Sequence, residues 1–209
     1  MTSSAEAARE RLLIGLALDH LWTETMGIDS SDTKEGPLRL VATLLNRERV
    51  AYALIGGVAM QIRTAEPRTT LGIDIAVPRF DDIPRAALVA AGFEHTGRHA
   101  HSDTWQAPAG GSGSLRTTVQ FSAEDVGIAD AVSRAEPTHL ADGLVIRVAT
   151  PIDMIVLILA AAAEPQRRPS KRQHDIADVV ALLEEYPHLR DAPTLARLRE
   201  VRAALQSLD

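Results

Sequence analysis

Apolar residues in the N-terminal quarter of the chain recur every three to four positions, which is the period of one face of an α-helix. We expect residues 4 to about 26 to form an amphipathic helix, followed by a polar loop over residues 27–36. Pro37 is suited to the first position of a second helix that ends near Arg49. The stripe of this helix that we expect to be buried is Leu38, Leu40, Val41, Leu44 and Leu45.

Short apolar runs in the middle of the chain predict strands. These runs cover residues 53–55, 72–77, 115–121 and 144–149. Between the second and third runs, residues 84–91 predict a short helix that stops at Gly92. Together with the helices, the strands indicate an α+β fold, with a small mixed sheet and helices packed on it.

The C-terminal part is predicted to be helical. Thr150 and Pro151 are the residue types of a helix cap and a first-turn proline, and the helix 152–164 is apolar on every side, so we expect it to be buried. The basic run 165–174 predicts a loop, with the next helix starting at Asp175 and an amphipathic helix at the end of the chain. The predicted parts are an N-terminal helix and loop (1–36), a core (37–149) and a helical C-terminal part (150–209).

Composition excludes several classes of function. The chain has 209 residues, of which 45% are hydrophobic, enough to bury a core. A formal net charge of −6 argues against bulk electrostatic attachment to nucleic acid. The absence of cysteine excludes disulfides and thiolate metal sites and fits a cytoplasmic location. The longest apolar run is too short to cross a bilayer and the N-terminus has no signal pattern, so we expect no membrane role.

Three histidines fall in the polar segment 93–105. His95, His99 and His101 offer zinc ligands by residue type, but their spacing matches no standard zinc site. The pattern favours a solvated strand edge or loop.

The segment with the strongest chemical signal runs from residue 53 to residue 79. Gly56 and Gly57 follow an apolar strand and precede helical turns, an arrangement that lets the backbone approach a phosphate and point amide groups at it. On the next strand, Asp74 stands between Ile73 and Ile75 and faces opposite to them. A strand carboxylate near a phosphate-binding turn can position a divalent cation on a nucleotide.

This order of strand, Gly-Gly, helix, Arg-x-Thr and apolar-Asp-apolar resembles the nucleotidyltransferases of the DNA polymerase β superfamily. Within that superfamily the likeness is to the AbiEii branch of type IV toxin–antitoxin systems. The resemblance implies that Gly56 and Gly57 contact the phosphates of a nucleoside triphosphate. It also implies that Arg68 or Thr70 contacts a phosphate and that Asp74 is catalytic and binds Mg²⁺.

The C-terminal part continues the resemblance. In this family a basic segment and a Lys-Asp-x-x-Asp motif flank the nucleotide cleft. Here Asp175 and Asp178 keep the pattern, and His174 stands where the family has lysine. The resemblance implies that four residues of this part bind substrate: Arg168, Lys171, Asp175 and Asp178. A second interpretation, that the two aspartates cap a helix start, stays open.

The chain departs from the family at two carboxylates. The family strand carries Asp-x-Asp, and here the first of these positions is Gly72. A third family carboxylate, which acts as the general base, corresponds here to Gln120 between Val119 and Phe121. An amide cannot accept a proton at neutral pH and is a poor ligand for a hard cation beside a phosphate. The nearest carboxylates that could compensate are Asp81, Asp82, Glu124 and Asp125.

Two functions of different class follow. The resemblance implies an AbiEii-like transfer of a nucleoside monophosphate from a nucleoside triphosphate to an RNA or protein acceptor, with Mg²⁺ as cofactor and an antitoxin as partner. The two replaced carboxylates predict that this activity is weakened or lost. The alternative is a protein of the same fold that binds a nucleotide or a partner without catalysis.

Overall fold

The computed structural model describes residues 4–26, 33–64, 70, 72–109, 116–139 and 143–206. The helices are α1 Ser4–Thr25, α2 Glu35–Arg47, α3 Gly56–Arg63, α4 Arg85–Ala90, α5 Ile128–Arg134, α6 Pro151–Ala163, α7 Pro169–Glu185 and α8 Ala192–Gln206. The strands are β1 Ala53–Ile55, β2 Gly72–Ala76, β3 Glu94–His99, β4 Ser102–Gln106, β5 Thr118–Ser122, β6 Glu136–His139 and β7 Val145–Val148. Helices and strands alternate irregularly, which makes this an α+β fold as predicted.

The described strands form one mixed sheet in the order β3-β4-β5-β2-β1-β7-β6. β2 is antiparallel to β1 and parallel to β5, and β1 is parallel to β7. The three strands β1, β2 and β5 lie side by side in the middle of the sheet. The Gly-Gly turn, Asp74 and Gln120 are therefore carried by neighbouring strands.

The central strands separate the core from a polar face by simple alternation. Ile73 and Ile75 of β2 and Val119 and Phe121 of β5 are at most 1% exposed and belong to the hydrophobic core. The residues between them point to the opposite face. Because β2 and β5 are in register, Asp74 of β2 lies beside Gln120 of β5 on that face.

The sequence pattern missed β6, and it predicted only a strand edge or loop in the polar segment that forms β3 and most of β4. Residues Glu136–His139 form β6, which pairs antiparallel with β7 at the sheet edge. Three of its four residues are exposed and only Thr138 is buried. A polar edge strand that contains Pro137 lacks the apolar alternation by which strands are predicted.

The N-terminal helix α1 packs against α3 and approaches β6. Its Asp19 side chain accepts a hydrogen bond of 2.8 Å from the Lys34 backbone N–H and forms a buried ion pair with the Lys34 ammonium. Lys34 directly precedes α2, so this pair joins the C-terminal half of α1 to the start of α2. The predicted boundary at residue 36 thus falls within the first turn of α2. Among the described helices, none is long and apolar enough to span a membrane.

Two predictions for the C-terminal helices were wrong. Helix α6 begins at Pro151 with Thr150 as its cap, as expected, but it is not buried on every side: Val156 is 40% exposed and Leu157 and Ile158 are half-buried. Helix α7 begins at Pro169, so most of the predicted basic loop is its first turns. Asp175 and Asp178 therefore lie within a helix of 17 residues, and the interpretation that they cap its start is wrong.

Candidate functional site

A cleft of about 840 Å³ opens between the polar face of β2 and β5 and one side of α7. Most of the residues that the sequence singled out line it. The lining consists of Gly57, Thr70, Gly72, Asp74, Thr118, Gln120, Arg167, Lys171, His174, Asp175, Ala177 and Asp178.

The floor of the cleft is formed by the parallel pair of β2 and β5. Asp74 is the register partner of Gln120, and Gly72 is the partner of Thr118. The amide side chain thus stands beside the strand carboxylate, at the position that the resemblance assigns to a third carboxylate. At Gly72, a Cβ atom would lie 3.1 Å from the backbone oxygen of Thr118, which is a tight contact.

The Gly-Gly turn requires both of its glycines. Gly56 has a φ of +62°, a left-handed conformation that favours glycine, and an added Cβ would lie 2.1 Å from Oδ2 of Asp74. At Gly57 an added Cβ would lie 2.6 Å from Oγ1 of Thr70. The first turn of α3 therefore lies against Asp74 and Thr70. The close approach of backbone and carboxylate explains why a diglycine stands at this strand end.

The wall opposite the sheet is provided by α7. Arg167 donates two hydrogen bonds to Asp175, from Nε to Oδ2 at 2.8 Å and from Nη2 to Oδ1 at 2.7 Å. The hydrogen bond to Asp175 raises the pKa of Arg167. This bidentate pair holds the chain before α7 against the helix, and Lys171 and His174 project from the same side of α7 into the cleft.

A smaller cavity of about 290 Å³ adjoins the polar cleft and shares six residues with it: Gly57, Asp74, Gln120, Arg167, Asp175 and Asp178. The remaining wall is mostly aliphatic: Ile55, Met60, Met154, Leu157, Ile158 and Ala161. Helix α6 provides four of these residues, and all of them except Met154 are incompletely buried. The site therefore combines a charged part with a more apolar part, as ligand sites commonly do.

The structure places most of the predicted site residues in the cleft or in the adjoining cavity, but not all of them. Gly57, Thr70, Asp74, Lys171, Asp175 and Asp178 line the polar cleft, and Gly56 lines the adjoining cavity. Arg168 is exposed, precedes the first residue of α7 and lies outside both linings, whereas its neighbour Arg167 is part of both. The predicted phosphate contact Arg68 lies outside the described residues.

The carboxylates considered as substitutes for the missing ones are engaged elsewhere. Asp82 pairs with Arg79 at 2.7 Å, and with its neighbour Asp81 it belongs to a short 3₁₀ helix beyond β2. Glu124 accepts a hydrogen bond of 3.4 Å from the Phe80 N–H, and Asp125 pairs with His101 at 3.0 Å. None of these four carboxylates lines the cleft or the adjoining cavity.

The sequence reasoning missed Arg167 and the apolar wall of α6. Arg167 belonged to a run of four basic residues, and only the pairing with Asp175 eight positions later distinguishes it from the others. The signal for the wall was present, because a helix that is apolar on all sides can face either the core or a ligand cavity.

The residues of the site do not fit a pair of magnesium ions held by protein carboxylates. Asp74 is a carboxylate, but Gly72 and Gln120 stand at the two positions where the resemblance implies further carboxylates. Within the described part of the chain, no group of three histidine, aspartate or glutamate side chains is placed to hold a metal ion. Mg²⁺ requires near-octahedral oxygen coordination. The described residues supply too few ligands for two such ions.

Comparisons with known proteins support the fold. No protein-family model and no curated protein matches the sequence. The chain is similar in structure to an antigenic nucleotidyltransferase-like protein from Paracoccidioides brasiliensis, with a TM-score of 0.53 and 20% identity over 80% of this chain and 84% of that one. It is also similar to JHP933 from Helicobacter pylori, with a TM-score of 0.56 and 14% identity over 78% of this chain and 71% of that one. The protein therefore has a nucleotidyltransferase-like fold.

Proposed function

We propose that this protein binds a nucleoside triphosphate in the cleft between β2, β5 and α7. The observation that carries this proposal is the convergence of the first turn of α3, Asp74 and Lys171 on one cleft. Backbone N–H groups at a helix start attract anionic oxygens, and a lysine ammonium is a common phosphate ligand. The start of α3 and Lys171 therefore support a polyphosphate ligand more than a neutral one.

The two parts of the site suggest how the ligand lies. The triphosphate occupies the charged part near Gly57 and Lys171, and the nucleoside extends toward the aliphatic wall of Leu157, Ile158 and Ala161. Gln120 offers both a donor and an acceptor at the junction of the two parts. The site thus has apolar area for a base and polar groups for its edge.

Binding without transfer is the function that the geometry favours. The described residues do not fit the metal pair of intact relatives, and an amide stands at the position of the general base. Loss of a group that acts in the transition state costs several kcal/mol and suppresses turnover, while ground-state binding can survive. We infer a nucleotide sensor or a nucleotide-dependent binding protein.

Calorimetric titration of the purified protein with each of the four ribonucleoside triphosphates, with and without Mg²⁺, tests the proposal. We expect binding of at least one triphosphate and an affinity about tenfold lower for Lys171→Ala, which corresponds to about 1.4 kcal/mol. Arg168→Ala removes a charge from the same end of α7 but outside the cleft, and Arg199→Ala removes an exposed charge on α8. Both variants should bind like the wild type. If no triphosphate binds, the proposal is overturned.

A second candidate is an AbiEii-like transfer of a nucleoside monophosphate to an RNA or protein acceptor, with regulation by an antitoxin. The observation that favours it is Asp178, which lines both parts of the site together with Asp74 and places a second carboxylate across the cleft. Incubation with α-phosphate-labelled triphosphates and a cell extract tests it. Label in a macromolecule that is absent with Asp74→Asn would support transfer, and binding without labelling would exclude it for the acceptors present.

A further inference from the structure

One imidazole lines the proposed nucleotide site. His174 is exposed on the side of α7 that faces the cleft, and its Nδ1 lies 2.7 Å from the backbone oxygen of Ser170. A carbonyl oxygen only accepts hydrogen bonds, so Nδ1 carries the donated proton. The other nitrogen, Nε2, then has a lone pair when the ring is neutral and an N–H when it is protonated.

The formal charges of the described residues that line the cleft sum to a negative value as long as the ring is neutral. Among the described lining residues, the cations are Arg167 and Lys171 and the carboxylates are Asp74, Asp175 and Asp178. With neutral His174 this gives a net charge of −1, and a protonated ring brings it to zero. Arg167 already directs two N–H groups to Asp175. Among these lining residues, the cation outside that ion pair is Lys171.

The ring faces charged groups on two elements. On α7, Lys171 and Asp178 lie one helical turn before and after His174, and the Arg167–Asp175 pair lies on the same wall. On β2, across the cleft, stands Asp74. The other described lining residues, on α3, β5 and the chain before β2, are uncharged.

We propose that His174 is a phosphate ligand of this site in its protonated form only, so that affinity for the triphosphate rises as the pH falls. This inference rests on the proposed function, because it assigns a ligand contact within the same cleft. Histidine is the side chain whose charge changes between about pH 5 and about pH 8. A lysine at this position would be charged throughout that range, so the presence of histidine makes the affinity pH-dependent.

Binding of inorganic tripolyphosphate in the presence of EDTA tests the inference, because this probe contains the phosphates without a base or a metal ion. Affinities are compared at about pH 6 and about pH 8 for the wild type, His174→Gln and His174→Lys. We expect the wild type to bind about tenfold more tightly at the lower pH. His174→Gln should bind weakly at both values, and His174→Lys should bind tightly at both.

Comparison of the variants distinguishes the pH dependence that comes from the ring from the pH dependence that comes from the probe. The ionisation of the probe changes equally in all three titrations. If His174→Gln keeps the pH dependence of the wild type, or the wild type does not bind tripolyphosphate at about pH 6, the inference is overturned. Either result can occur while nucleoside triphosphates still bind with Mg²⁺, and in that case the proposed function stands. Failure of nucleoside triphosphates to bind under any condition overturns both.

Discussion

Asp74 of β2 and Gln120 of β5 are register partners in the parallel, central part of the sheet. The two side chains stand side by side on the face that lines the cleft, and both contribute to its charged and its apolar part. A carboxylate and an amide thus share the place where the resemblance predicts two carboxylates.

This pairing predicts that Gln120→Asp creates a cation site. Two adjacent carboxylates repel each other by up to about 1 kcal/mol, and a divalent cation relieves that repulsion. We expect the variant to melt below the wild type in EDTA and to gain more thermal stability from Mg²⁺ than the wild type gains. Gln173→Asp, on the exposed surface of α7, adds the same charge away from the cleft. An equal response of both variants to Mg²⁺ would contradict the prediction.

The contact between Gly56 and Asp74 predicts the effect of Gly56→Ala. The added Cβ would lie 2.1 Å from Oδ2 of Asp74, and the left-handed backbone adds a cost of about 1–2 kcal/mol for any side chain. We expect a lower midpoint of denaturant unfolding and a loss of nucleotide affinity, because Asp74 must move. Gly36→Ala is the control: it lies in α2, its Cβ would meet nothing within 4 Å, and alanine favours the helix.

We predict that removal of the Asp103 carboxylate, which lies outside the cleft, destabilises the fold. This carboxylate is fully buried and accepts hydrogen bonds of 2.6 Å from Arg85 Nη2 and from Trp105 Nε1. Asp103→Ala leaves the buried indole N–H and the guanidinium without their partner, which costs about 3 kcal/mol. Chemical denaturation measures this loss. Asp130→Ala removes an exposed carboxylate 3.6 Å from Arg134 and should change stability by less than about 0.5 kcal/mol.

We predict that the Asp191 carboxylate at the start of α8 stabilises the fold in a pH-dependent way. Asp191 accepts a hydrogen bond of 2.8 Å from the Thr194 N–H, and its hydrogen bonds with the Thr194 hydroxyl and N–H lower the pKa of Asp191 below 3.8. A carboxyl whose pKa is lower in the folded chain stabilises the fold above its unfolded pKa, and this contribution disappears as the pH falls through the folded value.

Comparison of the wild type with Asp191→Asn measures this contribution, because asparagine keeps an oxygen for the cap and does not titrate. We expect the wild type to be more stable at neutral pH and the difference to shrink as the pH falls below 3.8. A difference that stays constant through this range would show that the ionised carboxylate is not the stabilising form.

The central part of the site could be predicted from sequence because its signals are local. The Gly-Gly turn, the alternation around Asp74 and the alignment of Gln120 each depend on a few neighbouring residues, and strand pairing places them together. The start of α7 could not be predicted in this way. Its first turns are basic and polar, and Arg172 is held there by hydrogen bonds to the Ala162 and Glu164 carbonyls at the end of α6.

The other differences also have long-range causes. β6 exists because β7 offers it an edge, since its own residues carry no strand pattern. The partial exposure of α6 depends on the cavity beside it, which forms only when α3, β2 and α7 are in place. Local patterns therefore predicted the central strands and most of the helices, and the shape of the site followed from their assembly.

The alternation along β2 and β5 has a consequence for the history of this protein. Residues that hold the sheet together, such as Ile73 and Phe121, point away from the cleft, and the residues that carry chemistry point into it. Exchange of a cleft residue therefore leaves the hydrophobic core unchanged. Selection can remove or replace the chemistry of such a site one side chain at a time while the chain keeps folding, and Gly72 and Gln120 are compatible with that course.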